Sequence, residues 1–313
     1  MKKALILGAA GFVGNYLIDH IQKECIWSIV VTKMENEVIE KSNVKISNLD
    51  IMKKEAVSVL LKEERPDYIF HLAAQSSVAL SWQNPGMTVD VNIKGSLNVL
   101  EVIRNLNYKP RLLLVGSGEE YGHVTPEQIP INEETILHPG NIYAATKACQ
   151  NMLGSIYARA YSIDVMMVRA FNHIGPGQAP IFVVSDFCKQ VAEIEQGIKS
   201  PVINVGNLNA KRDFSDVRDV VRSYSLLMEN GRSGETYNVG SGKAIAIKDI
   251  LDKIVSYSKR RIKVEVDRKK LRPVDVPIIE ADIVKLTKDT GWTCDITLEQ
   301  TISDTLEYWR KNI

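Results

Sequence analysis

Tyr143 and Lys147 stand four residues apart in the stretch Tyr143-Ala-Ala-Thr-Lys147, a spacing that puts both side chains on one face of a helix. A free phenol titrates near ~10 and exchanges protons poorly at neutral pH, but a fixed cation beside it stabilises the phenolate. Such a pair can work as a general acid or base. Ser117 adds a hydroxyl in Gly116-Ser117-Gly118-Glu119-Glu120-Tyr121-Gly122, directly after the apolar run 111–116. At the carboxyl end of a parallel strand, a hydroxyl faces the crevice where such sheets bind ligands. It could bond a substrate carbonyl while Tyr143 supplies the proton. The plain alternatives are an ordinary surface helix and a turn serine between glycines.

At the start of the chain, Gly8, Gly11 and Gly14 follow the apolar run Ala4-Leu5-Ile6-Leu7. Strand, glycine turn and helix are what a dinucleotide's pyrophosphate requires: a tight turn, close backbone approach, and tight packing of helix on strand. The spacing is GxxGxxG, not GxGxxG. With a glycine loop, a serine, a tyrosine and a lysine in this order, the expectation is a hydride-transfer site in which Lys147 steadies both the phenolate and the cofactor ribose. The end of the second strand carries Thr32 and Lys33, where an NAD-preferring site usually places an acid. Lys33 could attract a 2′-phosphate, so NADPH is the expected cofactor and NADH is tolerated, with Glu35 as the alternative ribose partner.

The elements that must hold these groups follow the rhythm of βαβ units. Strand-like runs at 3–8, 26–32, 44–47, 67–72, 111–116 and 164–170 alternate with amphipathic stretches, which implies a parallel sheet. Continuous apolar runs such as Leu112-Leu113-Leu114-Val115 suit strands covered on both faces. Beyond about residue 172 the pattern loosens at Gly175-Pro176-Gly177-Gln178-Ala179-Pro180, and two helical stretches follow near 183–197 and 217–229. The basic run from Lys259 is interleaved with acids and with Ile262, Val264 and Val266, the pattern of a solvated strand face and not of a nucleic-acid patch.

Composition narrows the classes further. A chain of 313 residues with net charge +1 and 45% hydrophobic residues has ample core and no bulk electrostatic partner. Met1-Lys2-Lys3 before an apolar run imitates a secretory signal, but the regularly spaced glycines and the polar Asn15, Asp19 and His20 continue as an amphipathic helix. No segment reaches the ~18 apolar residues of a membrane span, so the reading is a soluble, cytoplasmic protein. Cys25, Cys149, Cys188 and Cys294 form no CxxC pair, and the five histidines show no ligand spacing. Reduced thiols and no metal are expected.

Several motifs together resemble the extended short-chain dehydrogenase/reductases, in the branch that modifies nucleotide sugars, over essentially the whole chain. They are GAAGFVG at 8–14, Asp50-Ile51, His71-Leu72-Ala73-Ala74-Gln75-Ser76, Asn92 in DVNIKG, the Ser117 segment and YAATK. The resemblance implies a Rossmann-type doubly wound parallel sheet, an α/β fold, with a smaller C-terminal α/β substrate-binding domain. The division implied is 1–172 plus 214–240 for the dinucleotide and 173–213 plus 241–313 for the substrate. It further implies that Gly8, Gly11, Phe12, Val13 and Gly14 hold the cofactor, joined by Thr32 and Lys33. Asp50 and Ile51 would meet the adenine, Leu72, Ala73 and Ala74 would line the cofactor, and Ser117, Tyr143 and Lys147 would form the triad.

The second half resembles members acting on GDP-mannose derivatives, through Phe171-Asn172-His173-Ile174-Gly175-Pro176-Gly177, Arg212-Asp213-Phe214-Ser215-Asp216, Tyr237-Asn238-Val239-Gly240 and Leu271-Arg272-Pro273-Val274-Asp275. On that resemblance Asn172 would contact a GDP-sugar, Lys189 and Arg212 would lie near the nucleotide, Arg272 would pair with the diphosphate and Asp275 with the ribose. A guanidinium suits a diphosphate through its charge and its fork of donors. An ion pair with a neighbouring aspartate is the plain alternative for both arginines. The implied reaction is reduction of a C4 ketone. The rival is a 4,6-dehydratase, whose extra acid/base would be Glu119, although Gly118 stands where dTDP-glucose dehydratases carry an aspartate. An epimerase and a noncatalytic binding protein are the remaining alternatives, and the family implies a homodimer through helices near 88–105 and 141–160.

Overall fold

The computed structural model describes residues 1–267, 270 and 276–313. Its central sheet has seven strands, all parallel, in the order Thr236–Val239, Val165–Ala170, Arg111–Val115, Tyr68–His71, Lys2–Leu7, Trp27–Lys33 and Lys45–Asn48. This is the expected α/β class; six of the strands lie within a residue or two of the expected runs, and Thr236–Val239 is a seventh that those runs did not include.

The two-residue period of a strand divides the first run between two cores. Ala4 and Ile6 pack with Leu17, Ile18 and Ile21 of the helix Phe12–Glu24 and with Val220, Tyr224 and Leu227 of the helix Val217–Asn230. Leu5 and Leu7 turn the other way, onto Val57 and Leu61 of the helix Lys54–Glu64 and onto Val99 and Leu100 of the helix Ser96–Arg104. Because both faces are covered, every residue from Ala4 to Leu7 is buried. Each such side chain contributes ~1.5–3 kcal/mol of burial.

The chain leaves Lys2–Leu7 for a neighbour on one side, Trp27–Lys33, and later returns to pair Tyr68–His71 on the other. A ligand crevice opens beyond the carboxyl ends of strands at such a reversal. The loops that follow these two strands are the glycine loop and Leu72–Gln75.

A separate core joins Phe187 and Val191 of the helix Val183–Glu195, Ile250 and Ile254 of the helix Ile247–Ser256, and Ile302 and Leu306 of the helix Leu298–Lys311. Beside it a small sheet is built on Lys211–Asp216, flanked by Ala244–Ala246, Ile278–Ile279 and Asn172–Ile174. Lys263–Val266 pairs with Val202–Val205 and is exposed along its length, as the interleaved charges imply. Leu286 and Trp292 depart from the expected division, since they pack into the first core. The Trp292 indole donates to the Asp219 carbonyl at 2.9 Å, which draws this segment onto the helix Val217–Asn230.

Candidate active site

Gly8 turns the chain with φ +78° and lies so close to the next loop that an added Cβ would stand 2.6 Å from the Ala73 Cα. At Gly14 the crowding is local, with a Cβ 2.3 Å from the Ala9 carbonyl oxygen. Gly11 differs, because a Cβ there would meet nothing nearer than 3.8 Å. Gly11 also caps the helix Phe12–Glu24 without a side-chain hydrogen bond, and no acid lies in the first turn. The first-turn amides of Phe12 and Val13 therefore face an open cradle at the positive end of a helix, the donor set that a pyrophosphate fits.

Thr32 does not face that cradle. Its buried hydroxyl accepts from the Gly8 amide at 3.1 Å, and its carbonyl accepts from Ala9 at 2.8 Å. This differs from its expected place among the cofactor contacts: the side chain holds the glycine loop in place. The Lys33 ammonium lies over the backbone of its own loop, donating to the Met34 and Glu35 carbonyls. One Asp50 carboxylate oxygen caps the Met52 amide at 2.9 Å. Ile51 is buried in the core against Gly95, which leaves it little surface for an adenine. Leu72, Ala73 and Ala74 are half-buried at the crevice floor.

Ser117 and Tyr143 face one another, and Lys147 lies one helical turn beyond Tyr143 on the same helix. Ser117 follows the strand Arg111–Val115, accepts from the Glu119 amide at 3.2 Å and hydrogen-bonds the Tyr143 phenol. Tyr143 and Lys147 lie on the helix Ile142–Tyr161, whose cap Asn141 accepts from Ala144 at 2.8 Å. The expected lowering of the Tyr143 pKa by Lys147 is not found. Burial drives that pKa upward, the bond with Ser117 opposes the rise, and the Glu120 and Glu119 carboxylates add to it. Burial also pushes the Lys147 ammonium down to about 8 against the pull of Glu120. Lys147 donates to the Val115 carbonyl at 2.8 Å and to Gln150 at 3.2 Å.

Glu119 is half-buried and accepts from the Asn141 side chain at 3.1 Å, at the mouth of the same helix. Asn172 is exposed and donates to the Asp213 carbonyl at 3.2 Å. Arg212 donates to the Val276 carbonyl at 2.7 Å and so fastens the chain just after 271–275. Arg272 and Asp275 lie outside the described residues. The Lys189 ammonium stands over the Trp309 ring at 5.4 Å and pairs with Glu193 at 3.7 Å, on the face turned to the helix Leu298–Lys311. Among the described residues, no group of three or more His, Cys, Asp or Glu is placed to hold a metal ion.

Sequence reasoning named Asn92 and Gln75 within motifs but gave no role to the groups behind the triad. Asn92 sits in a π-helical turn, Asp90–Gly95, accepts from Gln75 and donates to Thr146, tying the crevice floor to the Tyr143 helix. Gln150 reaches both Lys147 and the Val115 carbonyl. Glu120 and Arg169 form a buried ion pair at 3.1 Å. The i, i+3 spacing of Lys147 and Gln150 was a readable signal. The Glu120–Arg169 contact depends on strand adjacency and had none.

A family model described as GDP-mannose 4,6 dehydratase matches residues 5–305. The chain belongs to that family. Within it, the chain is 28% identical to GDP-6-deoxy-D-mannose reductase of Pseudomonas aeruginosa, covering 100% of this chain and 98% of the relative. It is also 28% identical to GDP-mannose 4,6-dehydratase of Vibrio cholerae, covering 97% and 92%. The solved structure of RMD from Pseudomonas aeruginosa complexed with NADPH superposes with a TM-score of 0.89 at 28% identity, over 100% of both chains. The expected resemblance to nucleotide-sugar enzymes of the extended short-chain class is thus borne out. Family membership at equal identity to a reductase and a dehydratase fixes a nucleotide-sugar enzyme and leaves the reaction to the chemistry of the site.

Proposed function

We propose that this enzyme reduces the C4 ketone of GDP-4-keto-6-deoxy-D-mannose to GDP-6-deoxy-D-mannose (GDP-D-rhamnose), with NADPH as preferred cofactor and NADH tolerated. The observation that carries the reading is Tyr143: buried, bonded to Ser117 and held protonated at neutral pH, it starts in the state of a proton donor. When bound, the nicotinamide supplies a hydride to the carbonyl carbon. Tyr143 gives its proton to the oxygen as charge develops there, Ser117 keeps the phenol aligned, and Lys147, a helical turn further along, contributes a positive charge to the site. Gly8, Gly11, Phe12, Val13 and Gly14 would hold the pyrophosphate, Lys33 the 2′-phosphate and Asp50 the adenosine end. Asn172, Arg212, Arg272 and Asp275 are the proposed contacts of the GDP-sugar.

Dehydration is the second reading, and Glu119 favours it, since a carboxylate two residues beyond Ser117 could serve elimination across C5 and C6. Gly118 supports reduction instead. A Cβ at that position would lie 3.1 Å from the Phe171 ring, so the aspartate carried there by dTDP-glucose dehydratases would need that ring to give by a few tenths of an ångström.

The proposal extends to a cytoplasmic homodimer. Val89, Met152, Ile156 and Tyr161 leave a large apolar surface exposed on or beside the helices 85–104 and 142–161, which supports pairing of those helices. Purified protein given GDP-4-keto-6-deoxymannose should oxidise one NADPH per product formed. Conversion of GDP-mannose to the keto sugar without net cofactor change would replace the reductase reading with dehydration.

A further inference from the structure

Beneath the Ser117 turn, the Glu120 carboxylate is fully buried and divides its two oxygens between two tasks. Oε1 accepts from the Ser117 amide at 2.8 Å, while Oε2 accepts from the Arg169 Nε at 3.1 Å. Arg169 in turn donates to the Tyr121 hydroxyl and the Glu133 carbonyl, each at 3.0 Å, and the Tyr121 hydroxyl donates to Asn238 at 2.6 Å. Gly116 leaves space for the carboxylate, since a Cβ there would lie 2.2 Å from Glu120 Oε1. A buried ion pair costs desolvation and is weak evidence for stability alone, so its place directly under a reactive turn calls for another account.

We infer that Glu120, held by Arg169, is a positioning residue: its carboxylate fixes the Ser117 backbone beside Tyr143 and supplies the counter-charge for the Lys147 ammonium. The inference rests on the proposed hydride-transfer role of the triad, and not on which sugar is reduced. The charged and titratable groups around it are few. Lys147 faces Glu120 and His71, and burial with the Lys147 charge keeps that imidazole neutral. Burial pushes the Glu120 carboxyl up to about 7, and Arg169, the Ser117 amide and Lys147 oppose that rise and favour its charged form. Tyr143 faces Glu119 and Glu120, and Arg169 faces Tyr121. Lys147 donates to the Val115 carbonyl and Glu120 accepts from the Ser117 amide two residues on, and among the described residues Glu120 is the anion that opposes the burial-driven loss of the Lys147 proton.

The test is the titration of Lys147 in full-length protein labelled with 13C at the lysine ε-carbon, read by NMR and assigned with Lys147→Arg. Glu120→Gln keeps the shape and removes the charge. The Lys147 midpoint should then fall by about one pH unit, and kcat by roughly tenfold or more with little change in KM. Glu120→Asp keeps the charge, so its midpoint should stay near the wild-type value while kcat is reduced and part of the activity returns. An unchanged midpoint in folded Glu120→Gln overturns the inference. Should that variant not fold, Glu120→Asp decides alone: a displaced midpoint, or undiminished kcat, overturns it. Because the lysine signal is read on the protein without substrate, a wild-type enzyme inactive on the keto sugar would sink the proposed reaction and leave this result standing.

Discussion

The Lys147 ammonium donates to the Val115 carbonyl at 2.8 Å, so the helix carrying Tyr143 is locked to the end of the strand that leads into Ser117. Burial holds this ammonium near a pKa of about 8, which makes it charged below that pH and neutral above it. Turnover should therefore fall as pH rises through about 8, while Tyr143, pushed the other way, still carries its proton. A kcat profile measured from neutral to alkaline pH checks this. Lys147→Met should lower kcat by on the order of 100-fold at neutral pH.

Replacing Tyr143 with Phe removes the proton donor and leaves the glycine loop untouched. Turnover should drop by at least ~100-fold while NADPH affinity, followed by nucleotide fluorescence, stays within a fewfold. A Phe variant that keeps most of its activity would end the acid role.

The three loop glycines should separate by position. Gly14→Ala forces a Cβ against the Ala9 carbonyl and should cost ~1–3 kcal/mol of stability, seen as a lowered Tm. Gly11→Ala meets no such contact, so the fold should persist while NADPH binding weakens. Equal losses of stability in the two variants would contradict the cradle.

Lys33 and Thr32 make a second contrasting pair. Lys33→Ala should cut the preference for NADPH over NADH by roughly tenfold, the worth of about one charge-assisted hydrogen bond. Thr32→Val leaves the Gly8 amide without its side-chain acceptor and should weaken both cofactors equally. Kd values for the two cofactors in each variant settle the matter.

Much of this molecule was legible in the sequence because its patterns are local. The apolar runs at 3–8 and 111–116 became strands, and the four-residue spacing of Tyr143 and Lys147 became one helix face. What escaped lies in contacts between distant segments. The contact of Lys189 with Trp309, from the last helix, spans 120 residues and leaves no local pattern. Arg169 meets Glu120, 49 residues earlier, only because Arg111–Val115 and Val165–Ala170 are neighbouring strands. The sign of the Tyr143 shift was misjudged for a related reason: a spacing gives the neighbour at i+4, whereas the burial that dominates the shift comes from the whole fold.

Glu119 offers a discriminating substitution between reduction and elimination. Its carboxylate is bonded to Asn141 at the helix mouth and has no step in the reductase account. Glu119→Gln should therefore leave kcat within about threefold, whereas loss of a general acid or base would cost ~100-fold or more.

The central claim, hydride delivery to a C4 ketone with Tyr143 as acid, is tested most directly by following the hydride itself. NADPH deuterated at the transferable position of its nicotinamide is supplied with GDP-4-keto-6-deoxymannose, and the product is examined by NMR. The account predicts one deuterium at C4 of the sugar for each NADPH oxidised. Product without deuterium at C4, or keto sugar made from GDP-mannose with no NADPH consumed, would contradict it.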